Sequence, residues 1–244
     1  MRTKLVITDL TRMYRGMVCI AGYDQTHRCI RPTLPPPGIS EKTLIQAGQP
    51  VIFPFALVEF DLLQPDPNPP HTEDYRYTPG SPHFIQKVEN RKSVLHWSLF
   101  DSVSAVFEQP IHDDFGFYVM DCQGTRSLGT LHPRKIIKVT YEQEINGPWD
   151  YRLMFYDNED KFYRLKITDL TWQYYCDSLR AENREPGQIA GELSSKLKAT
   201  DVYLRVGLAR GWKKFPDRCY LQINGIYTFP DYLEGKTFVD VAPR

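Results

Sequence analysis

Between residues 49 and 63 the apolar side chains alternate as Val51, Phe53, Phe55 and Leu57, then change phase to Val58, Phe60 and Leu62. Period-two alternation marks a half-buried strand, and a change of phase sends later side chains to the other face unless the chain bulges or bends. Long, bent strands are what a small closed barrel needs to turn its corners. The segment therefore predicts a barrel rather than a flat open sheet. Its flanks agree: Pro32 and Pro35 to Pro37 stand before it, and residues 64–70 hold four prolines in seven. Proline cannot donate to a ladder, so both flanks read as rigid surface connections.

The remaining chain supplies the other strands. Residues 4–10, 16–23 and 29–31 are short β-branched and apolar runs separated by turn residues, a meander. Residues 40–47 predict a short helix. Ser93 reads as the N-cap of a helix whose Val94, Leu95, Leu99, Val103, Val106 and Phe107 share one face. Residues 134–141, 151–156 and 162–167 return to strand. Two helices follow, over 169–181 and from Pro186 with Ile189, Leu193 and Leu197 every fourth residue. Strands over 201–208 and 218–229 close the chain, joined by a basic and aromatic loop.

This inventory predicts a mainly β fold with interposed helices, arranged as two tandem OB-like barrels. The units are predicted at 1–140, with a helix near 94–107, and 141–244, with helices near 169–181 and 186–198. An internal echo goes with two units: Ile7-Thr8-Asp9-Leu10-Thr11 recurs as Ile167-Thr168-Asp169-Leu170-Thr171, and Tyr14 matches Tyr174 at the same offset. Duplication and a recurrent turn, with each Asp fixing a strand exit, are both open.

Composition limits the function. Thirty Lys and Arg balance thirty Asp and Glu, so nothing draws the whole chain to a phosphate polymer and any such affinity needs a local patch. No apolar run approaches the roughly 18 residues of a membrane span, and the first residues lack a leader pattern, which predicts a cytoplasmic protein with no membrane partner. The five cysteines, at 19, 29, 122, 176 and 219, are widely spread without C-x-x-C spacing and read as reduced core thiols. Phosphate-loop, dinucleotide, zinc-protease and hydrolase motifs are absent.

The stretch Val18 to Asp24 followed by Arg28-Cys29-Ile30-Arg31-Pro32 resembles the opening of the prokaryotic dual OB-containing domain family. Pro70 to Asp74, Ser127-Leu128-Gly129, Leu204 to Leu208 and Cys219 to Asn224 extend the resemblance along nearly the whole chain. It implies two tandem OB folds and a nucleic-acid-related role, and no particular catalytic residue or cofactor.

An OB groove stacks bases on aromatics and follows phosphates with Arg and Lys. The densest such cluster is Arg205, Arg210, Trp212, Lys213, Lys214, Arg218 and Tyr220, with few acids nearby; the alternative is a solvated hairpin tip. A second is Arg12, Tyr14, Arg15, Arg28 and Arg31, with Arg15 and Arg31 on one rim, or with Arg31 bridging to Glu73 or Asp74. His71, Glu73 and Asp74 combine an imidazole with two carboxylates. Adjacent carboxylates point in opposite directions on an extended chain, so a polar clamp on the Pro-rich loop, with no metal, fits better than catalysis. Arg126 to Gly129 offers an amide and a hydroxyl to an anion, or forms a turn. The expected partner is single-stranded DNA or RNA, or a nucleotide. A base-modifying enzyme using His71, Glu73 and Asp74, and a protein-interaction module, are the alternatives.

Overall fold

The computed structural model describes residues 1–143 and 149–242. The opening meander is β1 (Arg2–Arg12), β2 (Met17–Tyr23) and β3 (Cys29–Thr33), antiparallel neighbours in that order. β4 (Ala56–Pro65) and β5 (Asp74–Tyr77) complete the sheet. β5 runs parallel to β3 and antiparallel to β4, and β4 pairs back onto β1. The order β1-β2-β3-β5-β4-β1 is a closed five-stranded barrel, with β6 (His83–Lys87) added to β4 from outside.

One strand serves two partners because β1 bends. Residues 2–6 face β4 and residues 6–12 face β2, with a register shift between Ile7 and Asp9 that leaves Thr8 out of the ladder. Such a bulge adds local twist and turns the barrel corner. The crossing is tight: a Cβ on Gly22 would lie 2.4 Å from the Val6 carbonyl oxygen, so only glycine fits. Leu5, Ile7, Ile20, Ile30, Val58 and Phe60 fill the interior.

Two short helices, α1 (Arg91–His96) and α2 (Val103–Phe107), and the strand β7 (Phe117–Met120) lead to the second sheet. Its barrel strands are β8 (Leu128–Leu131), β9 (Lys135–Gln143), β10 (Trp149–Tyr156), β11 (Phe162–Ile167), β12 (Asp201–Leu208) and β13 (Arg218–Phe229), with β7 paired onto β13. They run in the order β8-β12-β13-β11-β10-β9, with β11 parallel to β13. β8 pairs with β12 and β9 pairs with β10, and only residues 132–134 separate them. Taken as one strand interrupted at Pro133, they reproduce the first barrel's order: first, second, third, fifth, fourth, and back to the first. This is the OB arrangement. It occurs here twice in one mainly β chain.

Between the third and fourth strands of the second barrel stand α3 (Leu170–Ala181) and α4 (Pro186–Lys198). Asp169 caps α3 by accepting the Thr171 and Trp172 amides at 2.9 and 3.2 Å. Pro186 starts α4, where a missing N–H costs nothing. Ile189, Leu193 and Leu197 bury one face of α4, at about 2 kcal/mol each. The Ser194 hydroxyl accepts the Val139 amide at 2.7 Å and holds α4 on β9.

Several expectations are corrected. The strand expected over 49–63 begins only at Ala56, because Phe55 takes a left-handed φ of 65° that breaks the ladder. The expected phase change survives as a register shift between Leu57 and Val58 against β6. Residues 41–44 form a single 3-10 turn within the helix expected over 40–47. The helix expected from Ser93 is two helices, capped by Asn90 and Ser102, with Leu99–Phe100 between them pairing alongside β8. Cys122 is exposed, not a core thiol. The echoed pentapeptides hold unlike positions: residues 7–11 lie inside a first strand, whereas residues 167–171 leave a third strand and enter a helix. They meet at an antiparallel bridge between Thr11 and Asp169, beside which the Arg12 amide donates to the Thr168 carbonyl at 2.8 Å. Unlike positions oppose a duplication. β9 spans residue 140; the last strand of the first sheet ends at Lys87, and the first pairing of the second sheet begins at Leu99.

Candidate nucleic-acid interface

The two barrels meet along a polar seam. Arg205 on β12 is fully buried, and its guanidinium donates to both Asp9 oxygens, at 3.2 Å to Oδ1 and 2.8 Å to Oδ2. It also donates to Tyr23, Ser98 and Thr130 hydroxyls at 2.7, 2.9 and 3.0 Å. A guanidinium removed from water requires such full pairing. Arg205 therefore joins the barrels and is closed to any ligand.

A second buried cluster contains the expected clamp. Arg31 pairs with Glu73 at 3.2 Å and with Asp74 at 2.9 Å, and its guanidinium lies 3.2 Å from His71 Nδ1. Glu73 accepts the Ser127 amide at 2.6 Å and the Ser127 hydroxyl at 2.9 Å. The anion facing residues 126–129 is thus this chain's own Glu73. Burial, with Arg31 and Arg210 nearby, pushes the His71 pKa down to about 2, so its imidazole is neutral. His71, Glu73 and Asp74 clamp β5 to the start of β8 rather than only pinning the Pro-rich loop. Their carboxylates are occupied by Arg31, Arg210 and Ser127, which leaves little for proton transfer. Among the described residues, no three His, Cys, Asp or Glu side chains gather as a metal site.

Above this seam an open cleft of about 1720 Å³ runs between the barrels. The first barrel contributes the turn 13–16 between β1 and β2 and part of the β4–β5 connection at 66–68. The second contributes the outward face of β10 and β11 and the β12–β13 hairpin, with Arg210, Trp212, Lys214 and Phe215. The face of the second and third strands, with the 1–2 and 4–5 loops, is where OB barrels take oligomeric ligands.

The cleft concentrates charge that the whole chain lacks: ten Lys and Arg side chains line it against four aspartates. Two of those aspartates are each shared by a pair of arginines. Asp177 bridges Arg12 at 3.0 Å and Arg180, and Asp74 bridges Arg31 at 2.9 Å and Arg210. The Asp177 trio keeps one positive charge, whereas Glu73 also pairs with Arg31 and brings the Asp74 group to neutral. Lys214 lies over the Phe215 ring, and Arg15 over Tyr14. Among the described residues five aromatics are exposed, and Tyr14, Phe115, Trp149 and Trp212 of these line the cleft.

Of the residues expected at the site, Arg12, Tyr14, Arg15, Arg31, Arg210, Trp212, Lys214 and Tyr220 come together in this cleft. Arg205 is buried in the seam, and Arg31, though it touches the cleft, is tied to Glu73 and Asp74 as the structural alternative held. Arg31 is therefore buried and not on an open rim with Arg15. Arg28 pairs with Asp24 and Tyr75 outside the lining. Arg218 lies between Tyr118 and Phe215 and pairs with Asp114 at 2.7 Å. Lys213 is exposed but outside the lining. The scarcity of acids expected around residues 205–220 is corrected, since Asp9, Asp74 and Asp114 approach from distant segments. Phe115, Trp149, Arg152, Arg164, Lys166 and Arg180 also line the cleft, outside both clusters expected from the sequence. Alternation was the available signal: Arg152 follows buried Tyr151, and Arg164 and Lys166 flank buried Leu165.

Two barrels of one strand order, sharing a groove on their loop face, define a tandem OB protein. The chain belongs to the dual OB-containing domain family, whose model matches residues 4–226. Neither a curated protein nor a solved structure matches it. Among the described residues no helix is long and apolar enough to cross a membrane.

Proposed function

We propose that the chain binds single-stranded nucleic acid in the cleft between its two OB units. The observation that carries the reading is the coincidence in one groove of ten basic side chains and, among the described residues, four of the five exposed aromatics. Exposed rings suit unpaired bases, whose faces a duplex covers, and the cationic excess suits phosphates. The volume also bears on the ligand. Small-molecule pockets hold roughly 300–1,000 Å³, so a cleft of about 1720 Å³ fits a strand better than a single nucleotide. Five free cysteines agree with a reducing, cytoplasmic setting.

Titration of labelled oligonucleotides by fluorescence anisotropy tests this. Affinity is expected to fall between about 50 and 200 mM salt, with a log–log slope of about −2 to −4 from three to six engaged phosphates. Trp212→Ala is expected to cost about 1–3 kcal/mol of binding, the worth of one stacked base. No oligonucleotide binding at low salt would refute the reading.

A further inference from the structure

Two aromatic groups line the cleft on different supports. On β9 and β10, Trp149 stacks on Tyr141 with ring centres 5.2 Å apart and planes at 25°, and Tyr141 packs on Tyr151 at 4.6 Å. The Arg180 guanidinium of α3 lies 5.2 Å over Tyr141 and 5.7 Å over Tyr151, bracing this ladder. Trp149 ends the ladder and is 53% exposed. On the β12–β13 hairpin, Trp212 meets Phe215 edge-on at 5.8 Å, and Phe115, 85% exposed, lies nearly parallel to Phe215 at 6.4 Å. Arg218 is held against Phe215 at 4.5 Å, a separate cationic brace.

Strand register gives the spacing. Arg152 on β10 stands opposite Lys166 on β11, which stands beside Gln222 on β13. Trp149 lies three residues beyond that level and Tyr220, against which Phe215 packs, lies two residues short of it. Five residues along and two strand spacings across place the groups roughly 20 Å apart. Arg152 and Lys166 occupy the interval and line the cleft.

We propose that Trp149 and Trp212 head two separate base-stacking subsites joined by a cationic track, and that the ligand is a single strand long enough to occupy both. This rests on the nucleic-acid reading above. An aromatic face braced by a cation takes any base, so the subsites select for strand length rather than sequence. A span of roughly 20 Å asks for about four or more nucleotides, at the short end of the range for OB barrels.

Oligothymidylates and oligouridylates of about 2 to 12 nucleotides, titrated on the full chain, test the proposal. The two series also separate a DNA from an RNA preference. Affinity is expected to rise with length until both subsites are filled and then level off. Trp149→Ala and Trp212→Ala are each expected to weaken long strands about 5- to 100-fold, while a dinucleotide responds to no more than one of them. Trp149→Phe, which keeps a stacking face, is expected to retain most of the binding. If Trp149→Ala binds long strands like the parent while Trp212→Ala does not, the two-subsite proposal is overturned and the single-groove reading stands. If the parent binds no oligonucleotide, both are overturned.

Discussion

Arg205 and Arg210 stand five residues apart and do different work. Arg205 is consumed by Asp9 and three hydroxyls, whereas Arg210 leaves Asp74 for one hand and the cleft for the other. Nothing local distinguishes them. Seven consecutive residues of β12 after Asp201 are buried, because one face meets its own barrel and the other meets the neighbour, so the alternation that sorts inside from outside is lost. Arg31 was more legible: an arginine before proline, near an Asp and Glu pair, is a natural structural bridge, and its pairing with both acids follows. His71 carries the pH consequence. Its folded pKa is depressed to about 2, while an unfolded histidine titrates near about 6.5. Below about pH 6.5 the unfolded chain therefore gains a proton that the folded chain refuses, and stability falls as pH falls. By about pH 5 this removes about 2 kcal/mol. His71→Gln is expected to lack that loss, so the stability gap between parent and variant narrows from pH 7 to 5 in urea denaturation.

At the level of elements, residues with one dominant local cause were readable. Pro186 and a four-residue apolar repeat place α4, and β13 spans the closing strand expected at 218–229, both with their ends as expected. The region 93–107 was not, since one apolar face runs through two helices and the intervening Leu99–Phe100 bridge depends on β8, distant in sequence. The β12–β13 hairpin was recognised by composition, but its shape comes from a close backbone approach. A Cβ on Gly211 would lie 2.1 Å from the Pro216 carbonyl oxygen, so the hairpin closes only on glycine. Gly211→Ala is expected to displace Trp212 and weaken oligonucleotide binding about 5-fold or more, comparable to losing part of a stacked base. Because the strain sits at a solvated tip, urea denaturation is expected to show a change below about 1 kcal/mol.

At the scale of the molecule, the legible part was the count and kind of barrels; the hidden part was how they face each other. Two barrels follow from bent strands, proline-stiffened connections and helices between strands, all of them local signals. The seam follows from ion pairs such as Arg205 with Asp9, nearly two hundred residues apart, for which no periodicity exists. A groove on a neutral chain escapes composition for the same reason, because its cations come from both barrels. Buried pairs across the seam leave each barrel with an unpaired charge if the other opens, a cost of several kcal/mol. The full chain is therefore expected to unfold in one transition by both heat and urea, and two resolved transitions would show that the seam does not couple the units. The bridging aspartate at position 74 extends this coupling to the ligand, since the guanidinium that lines the groove at position 210 is also anchored to the first barrel. Whatever settles in the groove then braces both halves at once and raises the melting temperature of the entire chain, by about 2.7 kcal/mol of added stability at a hundredfold excess over Kd. A simple thermal-shift screen of oligomers thus becomes a way of asking the protein what it was built to hold.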